Sequence, residues 1–208
     1  MKLFLCSDTL YSNLINDFEN FLGEKINTIS VSFVTTAVNP EKEKSWMYRD
    51  INFVNKLFKN IEIFDIEKMS LEDMESEFKS REILWINGGN TSYLMKRVRE
   101  SGLENILPEI LNKTIYVGSS AGSMIWSKSL EIAEWYPGGS EPNASQVSGM
   151  GLLDFQIFPH YQESMLELIK EKKKQDEEYW LLKNTQAISY NDGVITKHGG
   201  EIKILRKE

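Results

Sequence analysis

The segment Gly118-Ser119-Ser120-Ala121-Gly122 follows an apolar run beginning at Thr114 and precedes a helix-compatible run, SMIWSKSL. It fits G-x-S-x-G, the pattern of a nucleophile elbow, in which a serine sits on a strained strand-to-helix turn. The flanking residues must be small because the backbone folds tightly back on itself. Such a turn raises the hydroxyl clear of a sheet and aims the next backbone N–H, that of Ala121, at the same point, beside a helix N-terminus. Ser120 is therefore the candidate nucleophile, whereas Ser119 and Ser123 do not stand at the apex. The competing explanation is a glycine-cushioned turn where a helix packs closely on a sheet.

A serine hydroxyl needs a base, and the base needs an orienting acid. The chain has two histidines. His160 follows FQIFP at the end of a candidate strand, where a sheet could bring it beside Ser120. His198 lies between two short terminal strands and reads as an exposed hairpin residue. Three carboxylates compete for the acid. Glu134 opens a Gly/Pro-rich loop and is favoured by position, Asp154 stands at a strand start, and Asp192 sits in a turn where aspartate commonly serves the turn itself. A second glycine knot, Asn87-Gly88-Gly89-Asn90-Thr91, ends another strand. The N–H of Gly89 could join that of Ala121 as two donors to an oxyanion. The plain alternative is a strand-to-helix loop with Asn90 as N-cap. The loop lacks both G-x-G-x-x-G and the P-loop pattern.

Elements that could position these residues alternate along the first half. Strands are expected at Lys2–Ser7, Thr28–Thr35, Ile61–Ile66, Ile83–Asn87 and Thr114–Gly118. Helices are expected at Leu10–Leu22, Glu41–Phe58, from a Ser70 cap to Phe78, and at Thr91–Glu100. The alternation implies an α/β fold: a mostly parallel sheet with helices on both faces and the elbow after the fifth strand. Sites in such sheets form at the carboxyl ends of strands, here just after Ser7, Thr35, Asn87 and Gly118. Further on, 134–151 reads as a long loop and Phe155–Phe158 as a short strand. Glu163–Leu182 reads as a helix, and Ala187–Tyr190, Gly193–Thr196 and Glu201–Leu205 as short strands.

Composition narrows the class. The chain of 208 residues suits one domain, 1–208, and at 41% hydrophobic residues it can build a sizeable core. A net charge of −7 argues against nucleic-acid binding. The basic run at Lys170–Lys174 is interleaved with acids and reads as a solvated helix face. The single cysteine, Cys6, lies in an apolar run and reads as a small buried hydrophobe. No spacing suggests a metal site, no apolar stretch approaches a membrane span, and no secretory signal is visible. The expectation is a cytoplasmic protein without metal or cofactor, with no membrane or nucleic-acid partner, acting as monomer or homodimer on a small peptide.

Together, INGGNTSYLMKRVRESGL, YVGSSAGSMIWS and FPHY resemble the peptidase E and cyanophycinase group of serine peptidases, family S51. The resemblance covers about Ile83 to His160 closely, agrees with the N-terminal strand-helix units, and is looser beyond. It implies a flavodoxin-like sheet and a Ser–His–Asp/Glu mechanism. By position, Ser120 would be the nucleophile, His160 the base and Glu134 the acid, although peptidase E has aspartate near that point. Gly89 and Ala121 would donate to the oxyanion, and Asn90 would line the site. The implied substrates are small peptides with aspartate on the N-terminal side of the cleaved bond. In peptidase E an arginine in the helix after the histidine meets that aspartate. Here Glu163–Lys174 contains Lys170 but no arginine, and lysine lacks the bidentate fork.

Three functions compete on these residues: a serine exopeptidase or dipeptidase, an esterase-type serine hydrolase, and a catalytically silent small-molecule-binding module on the same sheet.

Overall fold

A computed structural model describes residues 1–136 and 141–207. The centre of the Gly/Pro-rich loop, 137–140, lies outside the described residues. Alternating strands and helices are β1 (Lys2–Cys6), α1 (Ile15–Leu22), β2 (Ser30–Val34), α2 (Ser45–Leu57), β3 (Asn60–Phe64), α3 (Leu71–Lys79) and β4 (Ile83–Ile86). Then come α4 (Thr91–Glu100), α5 (Leu103–Ile110), β5 (Ile115–Ser119) and a single-turn α6 (Ala121–Met124). The remainder is β6 (Gln156–Phe158), α7 (Leu166–Lys172), β7 (Tyr179–Leu181), β8 (Ala187–Asn191), β9 (Val194–His198) and β10 (Lys203–Leu205).

Seven strands form one mixed sheet in the order β3-β2-β4-β5-β1-β8-β9. From β3 to β1 all pairings are parallel, whereas β8 and β9 are added antiparallel. A second, three-stranded sheet runs β10-β7-β6. The first strand of the chain thus lies beside β5, and its carboxyl end, Ser7 and Asp8, arrives next to Ser119 and Ser120.

Strand residues alternate between two apolar clusters because successive side chains point to opposite faces. Leu3, Leu5, Val34, Leu84, Ile86 and Tyr116 pack with α3, α4 and α5 residues such as Phe78, Leu94 and Leu107. Phe4, Cys6, Phe33, Trp85 and Val117 pack with Leu14, Phe18, Val54 and Phe58 from the N-terminal elements and α2. Burial on both faces explains why these strands read as continuous apolar runs. Cys6 is fully buried, and that burial raises its thiol pKa far above the usual range, which leaves it an inert core residue.

The folded chain departs from the sequence reading in several places. Glu163–Leu182 is not one helix. It is a single turn at Glu163–Met165, the short α7, and then the strand β7, which pairs with both β6 and β10. Tyr179 and Trp180 are good strand formers, and pairing on both sides overrides the helical pattern. The unassigned stretch after Gly102 forms α5, whose Leu103, Leu107 and Ile110 share one buried face. His198 is not an exposed hairpin residue. Its side chain is 11% exposed, Ser189 Oγ lies 2.8 Å from Nε2, and burial lowers its pKa.

Asp65, at the end of β3, ties two strand ends together. Its carboxylate accepts from Thr36 Oγ1 at 2.9 Å, from Asn39 Nδ2 and from Glu67 N. Burial opposes its ionisation, but donors from Asn39, Thr36, Glu67 and Lys68 outweigh that and hold the carboxyl below its ordinary value. A depressed carboxyl pKa stabilises the fold at neutral pH, and that contribution is lost as pH falls from the unfolded value of about 3.9 through the folded one. Asp65→Asn is expected to lower stability by about 1–3 kcal/mol in urea unfolding at pH 7, with the deficit shrinking toward pH 3.

Candidate active site

Ser120 has φ 48° and ψ −107°, a region that costs a non-glycine residue about 1–3 kcal/mol and survives only where its surroundings over-determine it. The surroundings here do so. Ser120 N donates to Cys6 O at 3.1 Å, and the N–H groups of Ser123 and Met124 both donate to Ser120 O at 2.9 Å. Ser123 Oγ donates to Cys6 O at 2.8 Å, Tyr116 Oη donates to Gly122 O at 2.6 Å, and Trp85 Nε1 donates to Ser119 Oγ at 3.0 Å. The two glycines of the motif are steric necessities. A Cβ on Gly118 would lie 2.6 Å from Gly122 O, and one on Gly122 would lie 2.1 Å from Ile86 O. The following helix is one turn long, so its dipole has little to offer and the individual N–H groups carry the electrostatics.

His160 is carried in on a second strained turn. It follows β6 and Pro159 with φ 55°. Its N–H donates to Ser7 Oγ at 2.8 Å, and Ser7 Oγ donates in turn to Leu182 O at 2.9 Å. Tyr161 N also donates to Leu182 O, and Tyr136 Oη donates to Pro159 O. These ties to β1 and to the end of β7 bring the imidazole Nε2 to 2.9 Å from Ser120 Oγ.

On the other side of the ring, His160 Nδ1 lies 3.0 Å from Asn184 Oδ1. A carbonyl oxygen only accepts, so Nδ1 carries the proton. In the neutral ring Nε2 is then a lone-pair acceptor facing the Ser120 hydroxyl. That is the tautomer in which a base can take a proton from a serine, and a neutral amide in this place has a counterpart in Cys-His-Asn proteases.

The other candidate residues are placed as follows. Glu134 is not beside His160. Its Oε1 accepts from Ser145 N at 2.6 Å, a bond that lowers its pKa. Asp192 holds the amino terminus of Met1. Asn90 caps α4, its Oδ1 accepting from Tyr93 N at 2.8 Å and from Ser92 Oγ, and it faces the groove beside α4 rather than the Ser120 cavity. Lys170 pairs with Glu167 on α7. Gly89 and Ala121 do lie at the two strand ends that meet at Ser120. Among the described residues, no turn or cap hydrogen bond uses either N–H. Gly89 has φ 138°, and a Cβ there would lie 2.4 Å from Ala37 O, so only glycine lets this loop seat on the turn at Thr36–Val38.

In front of Ser120 and His160 lies a cavity of about 270 Å³. Its wall is Asn87, Gly88, Gly89 and Ser119 from the ends of β4 and β5, with Asp8 after β1 and Trp46, Arg49 and Asp50 from α2. Asn184, Ser7 and the α2 residues are the parts that sequence reasoning missed. The strand-end rule pointed at the positions of Asp8 and Asn87, but nothing local marks an asparagine between β7 and β8, or one face of α2, as belonging here.

The Peptidase family S51 model matches residues 3–198. This chain belongs to peptidase family S51. As an S51 chain it is a serine peptidase by family. An uncharacterized peptidase of Pasteurella multocida, PM1590, is 24% identical over 99% of this chain and 97% of its own length. A protein of Nostoc named peptidase E is 30% identical over 72% of this chain and 59% of its own. The fold is shared with the crystal structure of a putative peptidase E protein from Listeria monocytogenes. The TM-score is 0.73 at 22% identity, covering 100% of this chain and 98% of that one. Among the described residues no helix is long and apolar enough to cross a membrane.

Proposed function

We propose that this S51 chain is a serine exopeptidase that cleaves small peptides through an acyl-enzyme. The observation that carries the reading is the 2.9 Å approach of His160 Nε2 to the hydroxyl of a strained Ser120. Ser120 Oγ attacks the peptide carbonyl while His160 Nε2 takes its proton. The same imidazole then protonates the leaving amine. Water, deprotonated by His160, attacks the acyl carbonyl and restores the serine. The N–H groups of Gly89 and Ala121 donate to the oxygen that becomes negative in each tetrahedral intermediate. Asn184 holds the productive tautomer, the part Glu134 was expected to play. Unlike a carboxylate, it adds no charge to steady the imidazolium.

A dipeptidase specificity is supported by the small cavity and by the names of relatives, which include peptidase E in Nostoc and a probable alpha-aspartyl dipeptidase in Drosophila melanogaster. The cavity does contain an arginine, Arg49, although it comes from α2 and not from the helix after His160.

The test is covalent labelling. A fluorophosphonate is expected to add one phosphonyl group to the wild type, located on Ser120 by peptide mass mapping. Excess dipeptide substrate should protect against it. An unmodified Ser120 in a protein that nonetheless hydrolyses peptides would exclude the acyl-enzyme route.

A further inference from the structure

The Gly/Pro-rich loop after the elbow carries a second carboxylate, Glu141, and it reaches the helix that follows the glycine knot. Glu141 Oε1 accepts from Thr91 N at 2.8 Å, and Oε2 accepts from Ser92 N at 2.9 Å. These are the first two N–H groups of α4. Asn90 Oδ1 takes the third, accepting from Tyr93 N at 2.8 Å. The first N–H groups of a helix have no partners within the helix, so here side chains from two segments supply them. The Thr91 side chain is buried, with its hydroxyl 3.8 Å from Met124 Sδ on α6. The start of α4 is therefore fixed both to the elbow helix and to Glu141.

Glu141 stands on a stretch that is itself held. Ser145 N donates to Glu134 Oε1 at 2.6 Å, and Arg99 Nη2 on α4 donates to Ser148 O at 2.9 Å and to Gly149 O at 3.3 Å. Ala144 is fully buried. Burial raises the Glu141 pKa, although the bonds from Thr91 and Ser92 act in the opposite direction. The position does not favour a negative charge for its own sake, so the two bonds are what the carboxylate contributes. From the same loop, Tyr136 Oη donates to Pro159 O at 2.7 Å, and its ring lies 5.0 Å from that of Phe158. One loop thus touches the turn that carries His160 and the helix start that follows Gly89.

We infer that Glu141 is a positioning residue for peptide cleavage, a reading that rests on Ser120 as nucleophile and Gly89 as oxyanion donor. By fastening the first turn of α4, it holds the N–H of Gly89, just upstream, where negative charge develops. Gly89 has no side chain to steady it, and its φ of 138° is one that other residues rarely adopt. Its orientation is set by its neighbours. On one side Asn90 N donates to Ala37 O at 2.8 Å, and beyond it Glu141 holds Thr91 and Ser92. An oxyanion donor is effective only when held within about 0.5 Å of its productive place, so a small swing of this peptide plane removes it. Glu141 lines the groove beside α4 rather than the cavity in front of Ser120. It touches no reacting atom, and its effect falls on kcat rather than on substrate binding.

Glu141→Ala is expected to lower kcat on Ala-Leu and Asp-Leu about tenfold to fiftyfold, with KM within about twofold of wild type. It should slow fluorophosphonate labelling of Ser120 by a similar factor, because the phosphonyl oxygen uses the same donors. Glu141→Gln keeps one acceptor oxygen for the two N–H groups and should lose only about threefold to tenfold. Thermal unfolding of both variants is measured beside the kinetics. Unchanged kcat and labelling in Glu141→Ala, a loss confined to KM, or equal losses in the two variants that follow their falls in Tm would overturn the proposal. If Glu141→Ala does not fold, Glu141→Gln decides alone by the same split between kcat and KM. Equal labelling rates in wild type and Glu141→Ala would remove the positioning role and leave Ser120 as nucleophile. An active wild type whose Ser120 never labels would sink the acyl-enzyme, and the kcat loss would still decide for or against Glu141.

Discussion

Ser120→Ala is expected to lower kcat/KM on the best peptide substrate by about ten-thousandfold or more, and His160→Ala by a similar factor. The loss in each case is large because the two side chains act as one unit. A hydroxyl without the imidazole is a weak nucleophile at neutral pH, and an imidazole without the hydroxyl has no acyl acceptor beside it. The double variant should therefore be little worse than either single one. Residual turnover above the uncatalysed rate would come from the backbone donors at Gly89 and Ala121 and from binding. The third member should behave in a graded way. Asn184→Ala removes the acceptor that orients the ring and is expected to cost about tenfold to a hundredfold, while Asn184→Asp keeps the acceptor and retains activity. Steady-state kinetics on a purified dipeptide check all of these. A Ser120→Ala protein with wild-type turnover would end the proposal.

The largest stability effect is expected at Gly122→Ala. A methyl group there would sit 2.1 Å from Ile86 O and 3.0 Å from Ile86 C. Both are backbone atoms of β4, an interior strand of the sheet, so no rotamer change relieves the overlap. Either α6 moves off the sheet or β4 shifts against β5, and each breaks bonds already named: Tyr116 Oη to Gly122 O, and the elbow carbonyl bonds to Ser123 and Met124. The expected cost is about 3 kcal/mol or more, a fall of roughly 6–12 °C in Tm for a domain of this size. Thermal unfolding followed by circular dichroism measures it. An unchanged Tm would mean that the close seat of the elbow on β4 is not required. The same substitution should also reduce activity, because the strained backbone at Ser120 is held by the turn that Gly122 closes.

How far the site could be read in advance varies with how local its parts are. Ser120 was legible because an elbow is a short-range object. Five consecutive residues specify its backbone, and the steric demand for glycine at 118 and 122 appears directly as composition. The Asn87–Thr91 knot was legible for the same reason, with Gly89 forced by its close approach to Ala37 and Asn90 visible as an N-cap. A cap and a binding residue look alike in sequence, and it is the bonds of the Asn90 side chain to Tyr93 and Ser92 that mark it as a cap.

Glu134 looked suitable because the loop after the elbow leads away from it at a sensible distance. In the folded chain its carboxylate is occupied by Ser145 N, and the ring of His160 meets an amide from a loop between two later strands. Distance along the chain says little about which of several carboxylates or amides reaches a ring, because the contact is made through the pairing of β6 with β7. Ser7 illustrates the point: one hydroxyl at the end of β1 receives the N–H of His160 and donates to Leu182, which joins parts of the chain that no window of sequence contains.

By itself the sequence determined the alternating strands and helices, the elbow at Ser120 and the glycine loop at Gly89, because each follows from local steric and burial rules acting over a few residues. Only the tertiary structure decided that β1 lies beside β5, that residues 179–181 pair as a strand, that Asn184 stands behind His160, and that Asp8 and Asp50 line one cavity. These are meetings of distant segments, and they are settled by which pairings of the whole chain bury the most apolar surface while leaving the fewest polar groups unbonded.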